Sequence, residues 1–274
     1  MAIKMKTAFL ALAFAGAASL TGIAFAAGGG SDYKMEHKHW HFSGPFGTYD
    51  RPAMQRGYQV YREVCSSCHQ LEHMSFRHLG DKGAPFYDEH FPNPNDNQLV
   101  KNFAADWEIE YIDPDSGDVE TRTGIPADGF PSPYANDAAA RAANGGAFPP
   151  DLSVITLART NGPDYVYNLL TAYGKEIPHD MEDKIGAGQH YNPMMDGGAI
   201  AMAPPLSDEL IEYADGTPAT VEQMAADVTE FLTWAGDPKM EQRKSTGLMV
   251  MVFLLVLTIL TFLAYKQVWR DVDH

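Results

Sequence analysis

Apolar positions in the middle of the chain recur with helical spacing in three segments and alternate in a fourth. Met54, Tyr58, Tyr61 and Val64 fall on one face of a helix expected from Arg51 to Val64. Asp50 can cap it, and Pro52 sits in its first turn. Val166, Leu169, Leu170 and Tyr173 make the apolar face of a helix expected over Asp164 to Tyr173, after the turn Asn161-Gly162-Pro163-Asp164. Thr220-x-x-Gln223 reads as a capping box. Val221, Met224, Ala225, Val228, Phe231, Leu232 and Ala235 follow at helical spacing until Gly236 and Pro238 stop the run. Trp107, Ile109 and Tyr111 alternate with Glu108 and Glu110 ahead of the turn Asp113-Pro114-Asp115-Ser116-Gly117, which predicts a β-hairpin over 107–123. Shorter helices are expected at Asn136 to Ala143 and from Pro150-Asp151-Leu152 to near Arg159. Residues 124–150 and 174–201 read as loops, in keeping with 18 prolines and 24 glycines. The expected class is mainly α, with long loops and one small hairpin.

Two apolar stretches lie outside this middle. Residues 1–26 read as a signal peptide: Lys4 and Lys6, an Ala- and Leu-rich run from Ala8 to Leu20, and the small-residue site Ala24-Phe25-Ala26. Gly247 to Tyr265 carries no charge, and at about 1.5 Å per residue it spans about 28 Å, close to the bilayer hydrocarbon thickness. Arg243 and Lys244 flank one end; Lys266, Trp269 and Arg270 flank the other. The expected organisation is a signal peptide at 1–26, an exported domain at 27–244, a transmembrane helix at 245–266 and a short cytoplasmic tail at 267–274. Basic residues on both sides of the span leave the positive-inside rule nearly silent, so the orientation rests on the signal peptide. That puts the large domain on the periplasmic side of a bacterial cytoplasmic membrane.

Charge narrows the partners. Without Lys4 and Lys6, 18 basic side chains face 36 acidic ones, a formal charge of −18. Such a balance argues against nucleic acid, which needs a basic face, and suits a basic protein partner. Asp106, Glu108, Glu110, Asp113, Asp115, Asp118 and Glu120 fall within fifteen residues that hold no Lys or Arg. This run is either a docking surface or a solvated loop.

The chemistry concentrates in Cys65-Ser66-Ser67-Cys68-His69. Two thiols three residues apart with an adjacent imidazole read as c-type haem attachment. These are the only two cysteines, so no partner pair remains for a disulfide framework or a four-cysteine metal site. A thioredoxin-like motif would need a βαβ context, which the pattern lacks. His37, His39 and His41 could bind a metal, but they read more simply as part of an aromatic N-terminal arm, residues 31–50, packed on the domain. With His69 as one axial ligand, the second decides function: a thioether gives an electron carrier, an open site a ligand-binding protein. Met202 stands out because Pro204 and Pro205 stiffen the chain behind it. Met181, Met194 and Met195 lack such support, and His179 and His190 are the rivals. A bis-histidine carrier, a sensor or a peroxidase therefore stays open. No Ser/His/Asp set, phosphate loop or carboxylate pair stands out, so the chain offers no substrate chemistry of its own.

A resemblance covers nearly the whole chain after residue 30. The stretches that carry it are Arg56-Gly57-Tyr58-Gln59-Val60-Tyr61, Val64 to His69, Phe76-Arg77-His78-Leu79, Ala139 to Asn144, Pro149-Pro150-Asp151-Leu152-Ser153 and Ala158-Arg159. Asp164 to Thr171, Tyr191-Asn192-Pro193, Met202-Ala203-Pro204-Pro205 and Asp215 to Thr220 complete it. The chain resembles cytochrome c1, the haem subunit of the cytochrome bc1 (ubiquinol–cytochrome c oxidoreductase) complex. The resemblance implies a class I cytochrome c-like core with insertions. It implies one haem c held by Cys65 and Cys68, with His69 and Met202 as axial ligands. Arg159 and Tyr165 would approach a propionate, and Pro150 would pack near the ring. Electrons would arrive from a Rieske iron–sulfur protein and leave to a soluble c-type cytochrome. The anchor would pack with cytochrome b in a two-fold symmetric complex.

Overall fold

The computed structural model describes residues 33–271. The expected signal peptide and residues 272–274 of the expected tail lie outside the described residues. In chain order the elements are α1 (Arg51–Glu63), α2 (Gln98–Ala105), β1 (Glu108–Ile112), β2 (Val119–Thr123), α3 (Asp137–Ala143), α4 (Ile155–Ala158), α5 (Gly162–Thr171), β3 (His190–Tyr191), β4 (Ala199–Ile200), α6 (Val221–Gly236) and α7 (Met240–Val268). Single 3₁₀ turns occupy Cys65–Ser67, Phe76–Gly80, Pro94–Asp96 and Glu182–Lys184. The fold is mainly helical, as the pattern implied.

The core forms where α1 crosses α6. Asp50 caps α1 by accepting from the Ala53 amide, and Met54, Tyr58, Val60 and Tyr61 are buried. At the crossing, a Cβ on Gly57 would stand 2.0 Å from the Asp227 carbonyl oxygen, so only glycine lets the backbones meet. Arg56 reaches across with Nε and Nη2, each 2.9 Å from an Asp227 carboxylate oxygen. Asp227 is 1% exposed, and a carboxylate that deep persists because it is paired. Phe76, Phe130, Tyr58, Tyr61 and Phe231 fill the space beside the crossing, with the Phe76 and Phe130 rings 4.5 Å apart.

α6 is buried more fully than an amphipathic stripe predicts, because α1, α4 and α5 all pack on it. Asp227, Thr229, Glu230 and Thr233 are buried with its apolar residues. Its capping box is half made: Thr220 accepts from the Gln223 amide, but the Gln223 side chain donates to Asp227 instead. α5 starts at Gly162, two residues before the expected Asp164, because Asn161 adopts φ +68° and Pro163 fits the first turn. It buries Val166, Tyr167 and Asn168, and leaves Leu169, Leu170 and Tyr173 half-exposed, a rotation from the expected face. The arm explains the shift. Asn168 accepts from the Glu36 amide at 2.9 Å and donates to the Glu36 carbonyl at 2.8 Å. Trp40 Nε1 donates to Asp164 at 2.7 Å, and Trp40 and Phe42 are buried. His37 turns to Asp164 and His41 to Asp50, so the arm's histidines point apart.

The hairpin pairs β1 with β2 from Glu108↔Thr123 to Ile112↔Val119, with Glu108, Glu110 and Glu120 exposed. α3 forms as expected with Asn136 as its cap. The helix expected from Pro150 is shorter, since α4 begins only at Ile155. Helix α2 and the two-residue strands β3 and β4 were not expected from the pattern. α7 starts seven residues before Gly247 and runs unbroken to Val268. It is the one helix among the described residues long and apolar enough to cross a membrane.

Candidate functional site

The C-terminal end of α1 delivers the Cys-x-x-Cys-His segment. Val64 ends the helix, and Cys65–Ser67 tightens into a 3₁₀ turn. The Cys68 and His69 amides both donate to the Cys65 carbonyl, at 3.1 and 2.8 Å. Ser66 Oγ donates to the Arg62 carbonyl and Ser67 Oγ to that of Val64, so the serines satisfy the helix end. The two thiols are free and half-buried. Burial, then the neighbouring Cys68, pushes the Cys65 thiol up to about 12, which keeps it protonated.

A second strip of chain lies against this one. His69 Nδ1 is 2.8 Å from the Pro150 carbonyl oxygen. A carbonyl only accepts, so Nδ1 carries the proton and Nε2 keeps its lone pair. Burial lowers the His69 pKa and favours this neutral ring, with the Pro150 carbonyl and Asp151 opposing. The Leu152 amide donates to the Gln70 carbonyl at 3.0 Å, the Glu72 amide to Asp151 at 2.8 Å and the His73 amide to Ser153 Oγ at 3.1 Å. Tyr61 Oη donates to the His69 carbonyl at 3.2 Å. Residues 69–73 are thus fastened on both sides, and two residues named from the sequence, His69 and Pro150, are in direct contact.

The remaining candidates lie on α4, α5 and the segment after them. Arg159 caps the end of α4, is exposed, and makes no ion pair among the described residues. Tyr165 lies in its field: burial raises the Tyr165 pKa and Arg159 opposes the rise. Tyr165 Oη is 3.5 Å from Met195 Sδ. Met202 is half-buried, and its carbonyl accepts from Tyr173 Oη at 3.0 Å. Asn192 Nδ2 ties this segment to α5 through the Leu169 carbonyl at 2.9 Å. Of the rival histidines, His179 is 98% exposed beside Glu182 and His190 is half-buried on β3. The sequence pattern marks Tyr61 and Tyr173 only as face residues of helices. Their hydroxyls hold the backbones of His69 and Met202, and no local spacing signals such a tie.

Two thiols and an imidazole with an uncommitted Nε2, held together at the end of α1, are donors that suit the vinyl edge of a porphyrin and haem iron, and the half-buried Met202 lies on a separate segment. Comparison with known proteins decides the family. The Cytochrome C1 family model matches residues 40–272. The chain belongs to the cytochrome c1 family. It is 42% identical over 260 residues to cytochrome c1 of Rhodospirillum rubrum, covering 90% of each chain. It is 42% identical over 233 residues to the protein named cytochrome c1, heme protein, mitochondrial, of Saccharomyces cerevisiae, covering 85% of this chain and 71% of that one. A longer relative, cytochrome b/c1 of Bradyrhizobium diazoefficiens, is 44% identical over 281 residues, 96% of this chain but 39% of its own length. Membership of this family implies a haem cofactor and an electron-transfer role as the haem subunit of a bc1 complex.

Proposed function

We propose that the protein carries one haem c, joined covalently through Cys65 and Cys68, and passes single electrons from a Rieske iron–sulfur protein to a soluble basic c-type cytochrome during quinol oxidation. The bond from His69 Nδ1 to the Pro150 carbonyl carries this reading. It fixes the ring and its tautomer, and so leaves the Nε2 lone pair uncommitted. Haem, when bound, supplies a one-electron iron couple. Cys65 and Cys68 would hold it covalently, and His69 and Met202 would ligate its iron. A thioether opposite an imidazole favours ferrous iron and raises the potential, as a late carrier in quinol oxidation needs. Arg159 and Tyr165 would meet a propionate, which would give the exposed guanidinium a partner. Pro150 packs beside the ring.

Residues 1–26 act as a cleaved signal, the haem domain stands on the periplasmic side of a bacterial cytoplasmic membrane, and α7 anchors it. The name of the Bradyrhizobium relative, which joins b and c1, supports cytochrome b as the partner of that anchor. The working complex is dimeric. The exposed acids of the hairpin steer a basic acceptor toward the haem edge.

Gentle detergent purification of the tagged chain tests this. A covalent haem on the chain should co-purify with b-type haem, a Rieske centre and quinol–cytochrome c reductase activity. Neutralising Glu108, Glu110, Asp115 and Asp118 together should slow reduction of the soluble acceptor at low salt. A purified chain without b haem and without reductase activity contradicts the complex. An unchanged, salt-insensitive rate in the neutralised variant contradicts the docking surface.

A further inference from the structure

Phe46 is 77% exposed, more than any other large apolar side chain among the described residues. It stands on a turn that the sequence builds with care. The Ser43 amide donates to the Trp40 carbonyl at 3.0 Å, and the Thr48 amide to the His41 carbonyl at 3.1 Å. Gly44 takes φ +75°. A Cβ on Gly47 would stand 2.2 Å from the Ser43 carbonyl oxygen, so only glycine lets the turn close. The arm's other aromatics face inward: Trp40, Phe42 and Tyr49 are buried, with the Phe42 ring 5.4 Å from Trp40 and 5.6 Å from Tyr49. Phe46 is held out alone, and no residue from Ser43 to Gly47 is charged.

The place where it is held matters. Lys244 Nζ donates to the carbonyls of Phe42 at 2.6 Å and Gly47 at 3.2 Å, the residues on either side of the turn's tip. Lys244 lies on α7 three residues before Gly247, where the uncharged stretch begins, or about 4.5 Å of helix. The Tyr49 amide adds a second tie, to Glu241 on α7 at 2.8 Å. The turn is therefore bolted to α7 at the level where that helix changes from charged to uncharged. A basic residue and an exposed aromatic at such a boundary are the composition of a membrane–water interface.

We propose that the 43–47 turn is a second membrane contact, with Phe46 seated among lipid headgroups and the first carbons of the acyl chains beside α7. It rests on the reading of α7 as a membrane span. A single helix lets a domain pivot about one point; a helix with a rigid turn beside it fixes the tilt of the haem domain over the bilayer.

The test uses the full haem-loaded chain, purified with the subunits that accompany it, in nanodiscs of phosphatidylcholine and phosphatidylglycerol. Trifluoromethyl-phenylalanine replaces Phe46, and in separate preparations Phe253 on α7 and Ile112 at the hairpin end. Fluorine resonances are recorded with a nitroxide-bearing lipid and then with a water-soluble gadolinium chelate. The lipid nitroxide should erase the signals at 46 and 253 and leave 112, while the chelate should erase 112 alone. A label at 46 erased by the chelate while 253 answers to the lipid overturns the contact and leaves the span intact. A label at 46 sheltered from both agents places another protein there and overturns it too. Silence of both 46 and 253 toward the lipid nitroxide overturns the contact together with the span.

Discussion

The two sides of the candidate haem site are built differently. His69 follows a capped thirteen-residue helix, and residues 69–73 are zipped to 150–153 by four hydrogen bonds. Met202 sits in a segment with only short secondary structure, where Gly188, Gly197 and Gly198 take positive φ and the side chains of Tyr165, Tyr173 and Asn192 tie it to α5 and the residues after it. The side proposed to carry the covalent links and the nitrogen ligand grows out of the core. The side proposed to carry the thioether is a loop. A weak bond depends on the loop that presents it, so the Met202 side is where ligation should yield first.

Removing the attachment gives the largest expected effect. Replacing both Cys65 and Cys68 by Ala should abolish the haem-stained band for this chain on a denaturing gel, with no holoprotein recovered. Met202→Leu comes next: the haem should remain attached while the midpoint potential falls by roughly a few tenths of a volt, within the ~0.8 V range that axial ligands set. Redox titration measures it. If that drop is absent, the loop side is not a ligand side.

The helical side has its own weak point. Glu230 accepts from the Asp50 amide at the start of α1, and burial raises its carboxyl to about 7 from 4.5, with the Asp50 and Asp227 charges adding and the Asp50 amide opposing. The folded state therefore keeps a proton that the unfolded chain has lost between pH 4.5 and 7. Stability should be highest below this window and fall as pH rises through it, by up to about 3 kcal/mol. Glu230→Gln should flatten that fall in the thermal midpoint measured against pH. The smallest effect is expected on the loop side from Tyr173→Phe. It removes one hydrogen bond to the Met202 carbonyl, about 1 kcal/mol, and should release the iron–sulfur charge-transfer band at lower temperature without loss of attached haem.

The sequence made local choices visible and hid the non-local ones. Asp50-Arg51-Pro52 announced α1, and the five turn-forming residues from Asp113 to Gly117 announced the hairpin. The helix expected from Pro150 to near Arg159 starts late, at Ile155, and Asp151 is engaged ahead of it: one carboxylate oxygen accepts from the Ser153 amide and the other from that of Glu72, 79 residues away. α2 was hidden in the loop-like run Asn93 to Gln98, where Asn97 turns out to cap Leu99 and Val100. The Gln223 side chain left its capping box because buried Asp227 needed a donor. Within the site, Cys65, Cys68 and His69 were legible from their spacing. The contact of His69 with Pro150 spans 81 residues and was not legible; the resemblance implied only that Pro150 packs near the ring. The signal for Met202 was the pair of prolines behind it; nothing in the pattern pointed to Tyr173, 29 residues before it.

Carbon monoxide binding to the reduced protein tests the central claim most directly, because it asks whether the sixth position on the iron is closed. The full chain, reduced and folded, should show no spectral change under carbon monoxide, while Met202→Leu in the same buffer should bind it and shift its Soret band. Uptake by the unaltered protein, or the same inert spectrum in both, would contradict ligation by His69 and Met202.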